Sequence, residues 1–249
     1  MSFSINFLQK WNPLLRGLFV VHDKLSDFVM RYVRYIKIGL LTVAYLSLLG
    51  FFFPQMAKTY GSFAQDILFV IVFVSPLSKL FRMRLLYQLM GLRRELGILF
   101  AFTAMVHGLS YIIDPDWYAF FIAPFTSQPL AMLPRYVFGI LALMFTVPLL
   151  ITSNTVSVKL LRSNWKKVHW LVYPLFFFML FHSFLPEERN FVSEVFGWMQ
   201  SILVFGVYIF LKVLVKHNFV TPLRNSIEYV GHKYVEYRHE KSRDATDGA

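Results

Sequence analysis

The sequence contains no cysteine among its 249 residues. This absence excludes disulfide bonds, thiolate metal sites, iron–sulfur clusters and haem attached through a Cys-x-x-Cys-His motif. Charge is also scarce, because 16% of the residues are charged, whereas soluble domains carry roughly a quarter. No Gly-x-Gly-x-x-Gly segment marks a dinucleotide-binding domain. Any redox centre must therefore rest on histidine, methionine or carboxylate ligands within a strongly apolar chain.

Long apolar segments predict an all-α, polytopic membrane protein. A spanning helix needs about 20 mostly apolar residues. Six segments fit this requirement: Ile36–Phe53, Ser62–Phe81, Glu95–Ile113, Pro134–Thr152, Val168–Leu185 and Val192–Val215. The first of them starts too late for a cleavable signal peptide, so none is predicted. We therefore expect a six-helix bundle, which forms a transmembrane domain over residues 36–215.

The distribution of basic residues predicts the orientation of the bundle. All but three of the 25 lysines and arginines, namely Lys58, Arg135 and Arg189, fall on one side of the predicted spans. Cytoplasmic loops of membrane proteins carry such an excess. We expect both termini in the cytoplasm and the protein in the bacterial inner membrane. The net charge of +11 then requires no nucleic-acid partner.

Both ends of the chain extend beyond the predicted bundle. Residues 1–35 place apolar side chains at helical spacing with basic residues between them, which predicts an amphipathic helix on the inner membrane surface. The alternative is a solvated lead into the first span. Pro13 either interrupts this helix or starts it. Residues 216–249 form a cytoplasmic tail, in which Thr221 and Pro222 predict a helix start.

Three histidines lie within the predicted spans. His107 and His182 lie about 18 Å and 21 Å from the inner ends of the third and fifth spans, which run in the same direction. Two imidazoles at one depth can clamp a haem between two helices. His169 lies about 20 Å inward of His182, a spacing that suits a second haem. An ideal helix would point these two side chains about 140° apart, so we expect a kink at Pro174.

The third and fifth segments carry two sequence motifs. Leu-Arg-Arg-Glu-Leu-Gly at 92–97 is followed by His107 and Tyr111, and Asn-Trp-Lys-Lys-Val-His-Trp-Leu-Val-Tyr occupies 164–173. These runs resemble the ferric reductase-like transmembrane family, whose fifth helix carries Trp-x-x-Leu-His-x-Leu-x-Tyr and whose next ligand corresponds to His182. Ser75-Pro76-Leu77 and Leu133-Pro134-Arg135-Tyr136 also fit. Within the family, residues 73–185 are most similar to haem-binding membrane subunits of bacterial periplasmic methionine sulfoxide reductase systems.

The resemblance implies a b-type haem protein that transfers electrons without being a complete catalyst. The donor would be the quinone pool or a cytoplasmic flavin reductase, with quinone or FMN as a further cofactor. The acceptor would be an extracytoplasmic protein, such as a molybdopterin enzyme that repairs oxidised methionine. The sequence departs from the family at Val168, which replaces leucine, and at Arg93, where the family often has a second histidine.

These observations lead to a set of site residues. We expect His107 and His182 to be the axial ligands of an outer haem. His169 would hold an inner haem alone, share it with an unusual second ligand, or hold none; of these we predict a weakly held second haem. Arg93 and Arg94, with Lys166 and Lys167, could pair with haem propionates or a quinone head group. Plain positive-inside topology also explains these four cations.

Two rival functions fit parts of the sequence. A ferric or cupric reductase membrane subunit would differ in its outer acceptor, which the sequence does not name. A proton-coupled transporter could use the membrane histidines as a relay. Carboxylates deep in the bundle would favour the transporter, but the candidates lie near helix ends: Asp66, Glu95 and Glu194.

Overall fold

A computed structural model describes residues 3–81, 83–113, 133–185 and 191–217. Over these residues the chain is helical and contains no strand, which confirms the all-α prediction. The described helices are α1 (Phe3–Ser47), α2 (Ala57–Phe81), α3 (Arg84–Met90), α4 (Arg93–Ile113), α5 (Leu133–Ile151), α6 (Thr155–Leu161), α7 (Ser163–His169), α8 (Val172–Phe184) and α9 (Phe191–Lys216). Two short 3₁₀ turns, Leu48–Phe52 and Pro54–Met56, join α1 to α2.

Several of these helices can cross a membrane. Within the described ranges, three stretches are long and apolar enough by themselves: Val21–Phe52, Ala57–Phe81 and Val192–Lys216. Helices α5 and α6 would form a fourth span if they are counted together, although the chain bends by 89° between them. The protein is therefore a membrane protein with several apolar helices. The count of six spans is not confirmed and stays a prediction.

Helix α1 is continuous where the sequence indicated a change of structure. Its backbone stays helical from Phe3 to Ser47, through Pro13 and past residue 35. Both interpretations of Pro13, as an interruption and as a helix start, are therefore wrong. Proline removes one backbone N–H donor, but the remaining backbone hydrogen bonds of this long helix keep it continuous. Residue 35 thus marks no break in the helix, and the interfacial position of residues 1–35 remains a prediction.

Polar contacts from His22 and Ser26 join α1 to α3. Gln88 Nε2 donates to Ser26 Oγ at 2.8 Å, and the Leu85 amide donates to His22 Nε2 at 3.3 Å. The second bond satisfies one of the unpaired amides at the start of α3. His22 lies outside the predicted spans. The structure gives it a role in holding two helices together.

The predicted fifth span is not one continuous helix. Helix α7 ends at His169 and α8 begins at Val172, with a turn at Trp170–Leu171. Pro174 has no amide to donate to the Trp170 carbonyl, which accepts instead from the Tyr173 amide at 3.0 Å. The expected distortion is present, one turn before the proline that causes it. It separates His169 from the helix that carries His182.

Two helix pairs form the centre of the bundle. Helix α2 packs chiefly against α4, and α5 packs chiefly against α8. The buried core includes Leu68, Leu99, Leu175, Phe176 and Leu180. Helix α9 lies against α8 at Gly197, where a Cβ atom would collide with the Phe184 carbonyl oxygen. The predicted cytoplasmic tail after residue 217 lies outside the described residues, as does the predicted helix from Thr221 onward.

Candidate functional site

The two helix pairs bring His107 and His182 together. His107 lies on α4 and His182 on α8, and their ring centroids are 5.8 Å apart with 60° between the ring planes. A metal–imidazole bond is about 2 Å long. Two such bonds in line separate the ring centroids by roughly 6 Å, once the size of the rings is added. The two rings are therefore spaced as the ligands of one shared metal ion would be.

His107 is held by helix α2. Its Nδ1 lies 2.8 Å from the carbonyl oxygen of Ala57. A carbonyl can only accept a hydrogen bond, so Nδ1 carries the proton, and Nε2 is left with the lone pair that a metal needs. The ring lies against Gly61, and the Tyr111 ring meets it edge-on at 5.1 Å.

His182 is held in the same way by helix α5. Its Nδ1 lies 3.0 Å from the carbonyl oxygen of Arg135. This bond again places the proton on Nδ1 and leaves the lone pair on Nε2. The ring lies against Gly139. Both histidines are thus neutral donors whose tautomer is set by a neighbouring helix, an arrangement typical of metal-ligating histidines.

The donor set fits haem iron. Over the described residues, no cluster of three or more His, Cys, Asp or Glu side chains is placed to hold a metal ion. A metal held by this pair alone would need further ligands of its own, which haem iron has in its porphyrin nitrogens. Ser110 lies one turn beyond His107, and its buried Oγ has no hydrogen-bond partner among the residues that the structure describes. A polar atom in this position is free to contact a bound group.

His169 lies in different surroundings. Its Nδ1 is 3.2 Å from the carbonyl oxygen of Trp165, four residues earlier in α7. The Trp165 ring packs against the imidazole with the centroids 3.9 Å apart, and its Nε1 donates to the Thr152 carbonyl at 2.9 Å. His169 is therefore positioned by its own short helix. Its Nε2 also keeps a lone pair.

A group of polar and aromatic side chains lies near His169. The Arg93 guanidinium interacts electrostatically with His169, Tyr173 and Tyr208. Lys212 Nζ donates to the Tyr173 hydroxyl at 3.1 Å, and the Tyr173 and Tyr208 hydroxyls are hydrogen-bonded to each other. The Nε atom of Arg93 is buried and has no hydrogen-bond partner within the described part of the chain. This donor is available to an acidic or carbonyl group.

The other predicted cations are placed differently. Arg94, Lys166 and Lys167 are exposed, whereas Arg93 is partly buried at the start of α4. The sequence grouped all four because they share a predicted side of the membrane. The structure sets Arg93 apart as the one among them that faces the interior.

Sequence reasoning missed the residues that seat the two outer histidines. Gly61 and Gly139 lie inside apolar helices, where glycine costs about 1 kcal/mol relative to alanine. A glycine inside such a helix can indicate that another group packs closely against the backbone. Tyr208 and Lys212 near His169 were also missed, because the sequence does not show which face of α9 is turned inward.

Known proteins with similar sequences agree with these observations. The relatives are protein-methionine-sulfoxide reductase heme-binding subunits MsrQ. That of Rhizobium meliloti is 31% identical over 45% of this chain and 49% of its own length. That of Agrobacterium fabrum is 26% identical over 66% and 71%. That of Xanthomonas campestris is 30% identical over 49% and 53%.

The chain spans about half the length of two of these three relatives. No solved structure matches it significantly. Residues 60–180 match the family described as Ferric reductase like transmembrane component. That range includes His107, His169, Gly61 and Gly139. This match covers a little under half of the chain, so residues 60–180 are similar to the ferric reductase like transmembrane component family.

Proposed function

We propose that this protein is a membrane electron-transfer subunit that binds b-type haem between His107 and His182. The observation that carries the proposal is the pair of neutral imidazoles 5.8 Å apart, each with Nδ1 bonded to a backbone carbonyl. The printed names of the relatives, heme-binding subunits, support the same cofactor. Haem supplies one-electron oxidation and reduction when it is bound.

The protein residues would bind and orient the cofactor. His107 and His182 would hold the haem iron through Nε2, and the hydrogen bonds from Nδ1 keep each ring in the tautomer that can bind a metal. The buried Phe176 and Phe181 lie on α8 among the apolar residues inward of His182. An apolar environment of this kind excludes water and thereby tunes the redox potential.

A second haem would bind at the inner site. His169 is its only strong protein ligand in this proposal, because the arginine at position 93 keeps its proton and is a poor iron ligand. The Arg93 Nε is buried and, over the described ranges, has no hydrogen-bond partner, which supports a different role, the neutralisation of a propionate. A quinone head group has carbonyl oxygens that could accept the same bond. Arg94 would contribute at most from the exposed surface.

The donor and acceptor are proposed by chemical class. The chain holds no nucleotide-binding fingerprint, so electrons would come from quinol or from a cytoplasmic flavin reductase that carries FMN. The acceptor would be an extracytoplasmic protein, such as a molybdopterin enzyme; the names of the relatives support a methionine sulfoxide reductase system. A ferric or cupric reductase subunit would share the same haem pair and differ only in its acceptor.

The haem can be tested by visible spectroscopy. We expect the purified protein, oxidised and then reduced with dithionite, to give a low-spin b-type spectrum. His107→Ala or His182→Ala should each abolish the outer low-spin signal or convert it to high spin, because the iron loses one axial bond. His217→Ala, at the end of the described chain, is the matched control and should leave the spectrum unchanged. A single variant that keeps the full low-spin spectrum removes its histidine from the site.

The orientation can be tested by reporter fusions. We propose that the protein lies in the inner membrane with both termini in the cytoplasm, since all but three of its lysines and arginines fall on one predicted side. Reporters fused after Asp116 and after Ala249 should report opposite sides of the membrane. Reporters on the same side would contradict the predicted number of spans.

A further inference from the structure

The contacts that position His107 and His182 follow the same pattern. Nδ1 of His107 bonds the carbonyl oxygen of Ala57, four residues before Gly61, and the ring lies against Gly61. Nδ1 of His182 bonds the carbonyl oxygen of Arg135, which is again four residues before a glycine, Gly139. In both cases the carbonyl and the glycine lie one helical turn apart, on one face of the neighbouring helix.

The absence of a side chain is what allows each ring to lie there. A Cβ atom at position 61 would be 2.6 Å from His107 Nδ1, and one at position 139 would be 2.7 Å from His182 Nδ1. Both distances are far below van der Waals contact, and both involve the nitrogen that makes the hydrogen bond. The glycines at 97 and 206 have open space around the equivalent point.

We propose that Gly61 and Gly139 are positioning residues for the axial ligands, a role that rests on the proposed haem function. Each glycine opens a slot in the wall of its helix, and the imidazole enters it far enough to donate its Nδ1 proton to the carbonyl one turn earlier. The two slots fix the tautomer and the separation of the rings. The ligands are thereby arranged by α2 and α5, which do not themselves carry a ligand.

The hydrogen bonds also affect the iron that the rings would hold. Donation from Nδ1–H to a carbonyl makes the imidazole a more basic ligand. A more basic ligand stabilises ferric over ferrous iron, so each slot lowers the midpoint potential. The loss of either bond should therefore shift the potential to more positive values.

Alanine substitutions test the slots directly. Gly61→Ala and Gly139→Ala should each reduce the low-spin fraction and shift the midpoint potential upward in the purified holoprotein. The matched controls are Gly97→Ala and Gly206→Ala, which change the same atoms in open space.

A second experiment leaves both glycines intact. In His107→Gly, added imidazole can fill the vacated place and donate to the Ala57 carbonyl, whereas 1-methylimidazole ligates iron but has no second N–H to donate. Imidazole should restore the low-spin spectrum at a concentration roughly three- to tenfold lower, the value of one hydrogen bond. His182→Gly should show the same preference.

The outcomes separate the two proposals. Low-spin loss in Gly61→Ala and Gly139→Ala but not in the open-space controls, together with the imidazole preference, supports the slots. If His107→Ala and His182→Ala lose the signal while both glycine variants keep the wild-type spectrum and potential, the slots are overturned and the haem function stands. Equal rescue by the two imidazoles also overturns them. If no histidine variant alters the spectrum, the haem assignment fails and the slots fail with it.

Discussion

The outer and inner histidines are positioned by different means. His107 and His182 each donate to a carbonyl on another helix and lie in a slot left by a glycine. His169 donates within its own helix to Trp165 and packs against the same residue. The outer pair thus depends on the packing of four helices, whereas the inner histidine depends on one short helix of seven residues.

The difference indicates how firmly each place would hold a cofactor. Two ligands on packed helices are ordered before a metal arrives, so little freedom is lost on binding. A single ligand at the end of α7 can move with that helix. We therefore expect the outer haem to be tightly bound and the inner one to be lost first during purification.

The largest expected effect is the removal of the inner haem alone. Wild-type protein prepared with ample haem should approach about two haems per chain, and His169→Ala should fall towards about one while it keeps the outer low-spin signal. The pyridine haemochromogen assay measures this ratio. A wild-type ratio that saturates at one and is unchanged in His169→Ala would show that the inner site holds no haem.

A smaller effect should separate Arg93 from Arg94. Arg93 is partly buried with an unpartnered Nε, whereas Arg94 is exposed. Removal of a charge-assisted hydrogen bond should weaken inner haem binding by about tenfold or more in Arg93→Gln. Arg94→Gln is the matched control and should bind as wild type does. Haem titration monitored in the Soret band gives the haem affinity of both variants. Equal affinities would indicate that Arg93 contributes only to the membrane topology.

The sequence predicted some of this arrangement and missed the rest for physical reasons. Helical periodicity and rise bring His107 and His182 to one depth, and the structure places the two rings together. The distortion near Pro174 could be predicted because the missing amide of a proline is known from the sequence alone. Gly61 and Gly139 were not predicted as partners of these histidines. The pairing of α2 with α4 and of α5 with α8 depends on tertiary packing, which the sequence pattern does not show. The continuity of α1 through Pro13 was missed because a proline can kink a helix without ending it, and the local sequence does not distinguish these outcomes.

The smallest expected effect concerns the residue that starts the inner helix. Arg162 has φ 48° and ψ −119°, a conformation that favours glycine, and it directly precedes α7, which carries His169. Along the described parts of the chain it is the one non-glycine residue with positive φ, so the outer site has no such residue. Such strain costs about 1–3 kcal/mol, and a glycine at this position would relieve it. The greater freedom of glycine in the unfolded chain offsets about 0.5–1 kcal/mol of the stabilisation gained.

Arg162→Gly should therefore stabilise the protein by roughly 1 kcal/mol, or a few degrees in Tm. Arg162→Ala separates the backbone effect from the loss of charge, because alanine keeps the Cβ atom that causes the strain. Thermal unfolding in detergent should show a gain for the glycine variant and none for the alanine variant. The outer low-spin spectrum should be unchanged in both, since neither substitution touches α2, α4, α5 or α8. Equal stability of the two variants would mean that the side-chain charge, and not the backbone of the inner helix start, determines the effect.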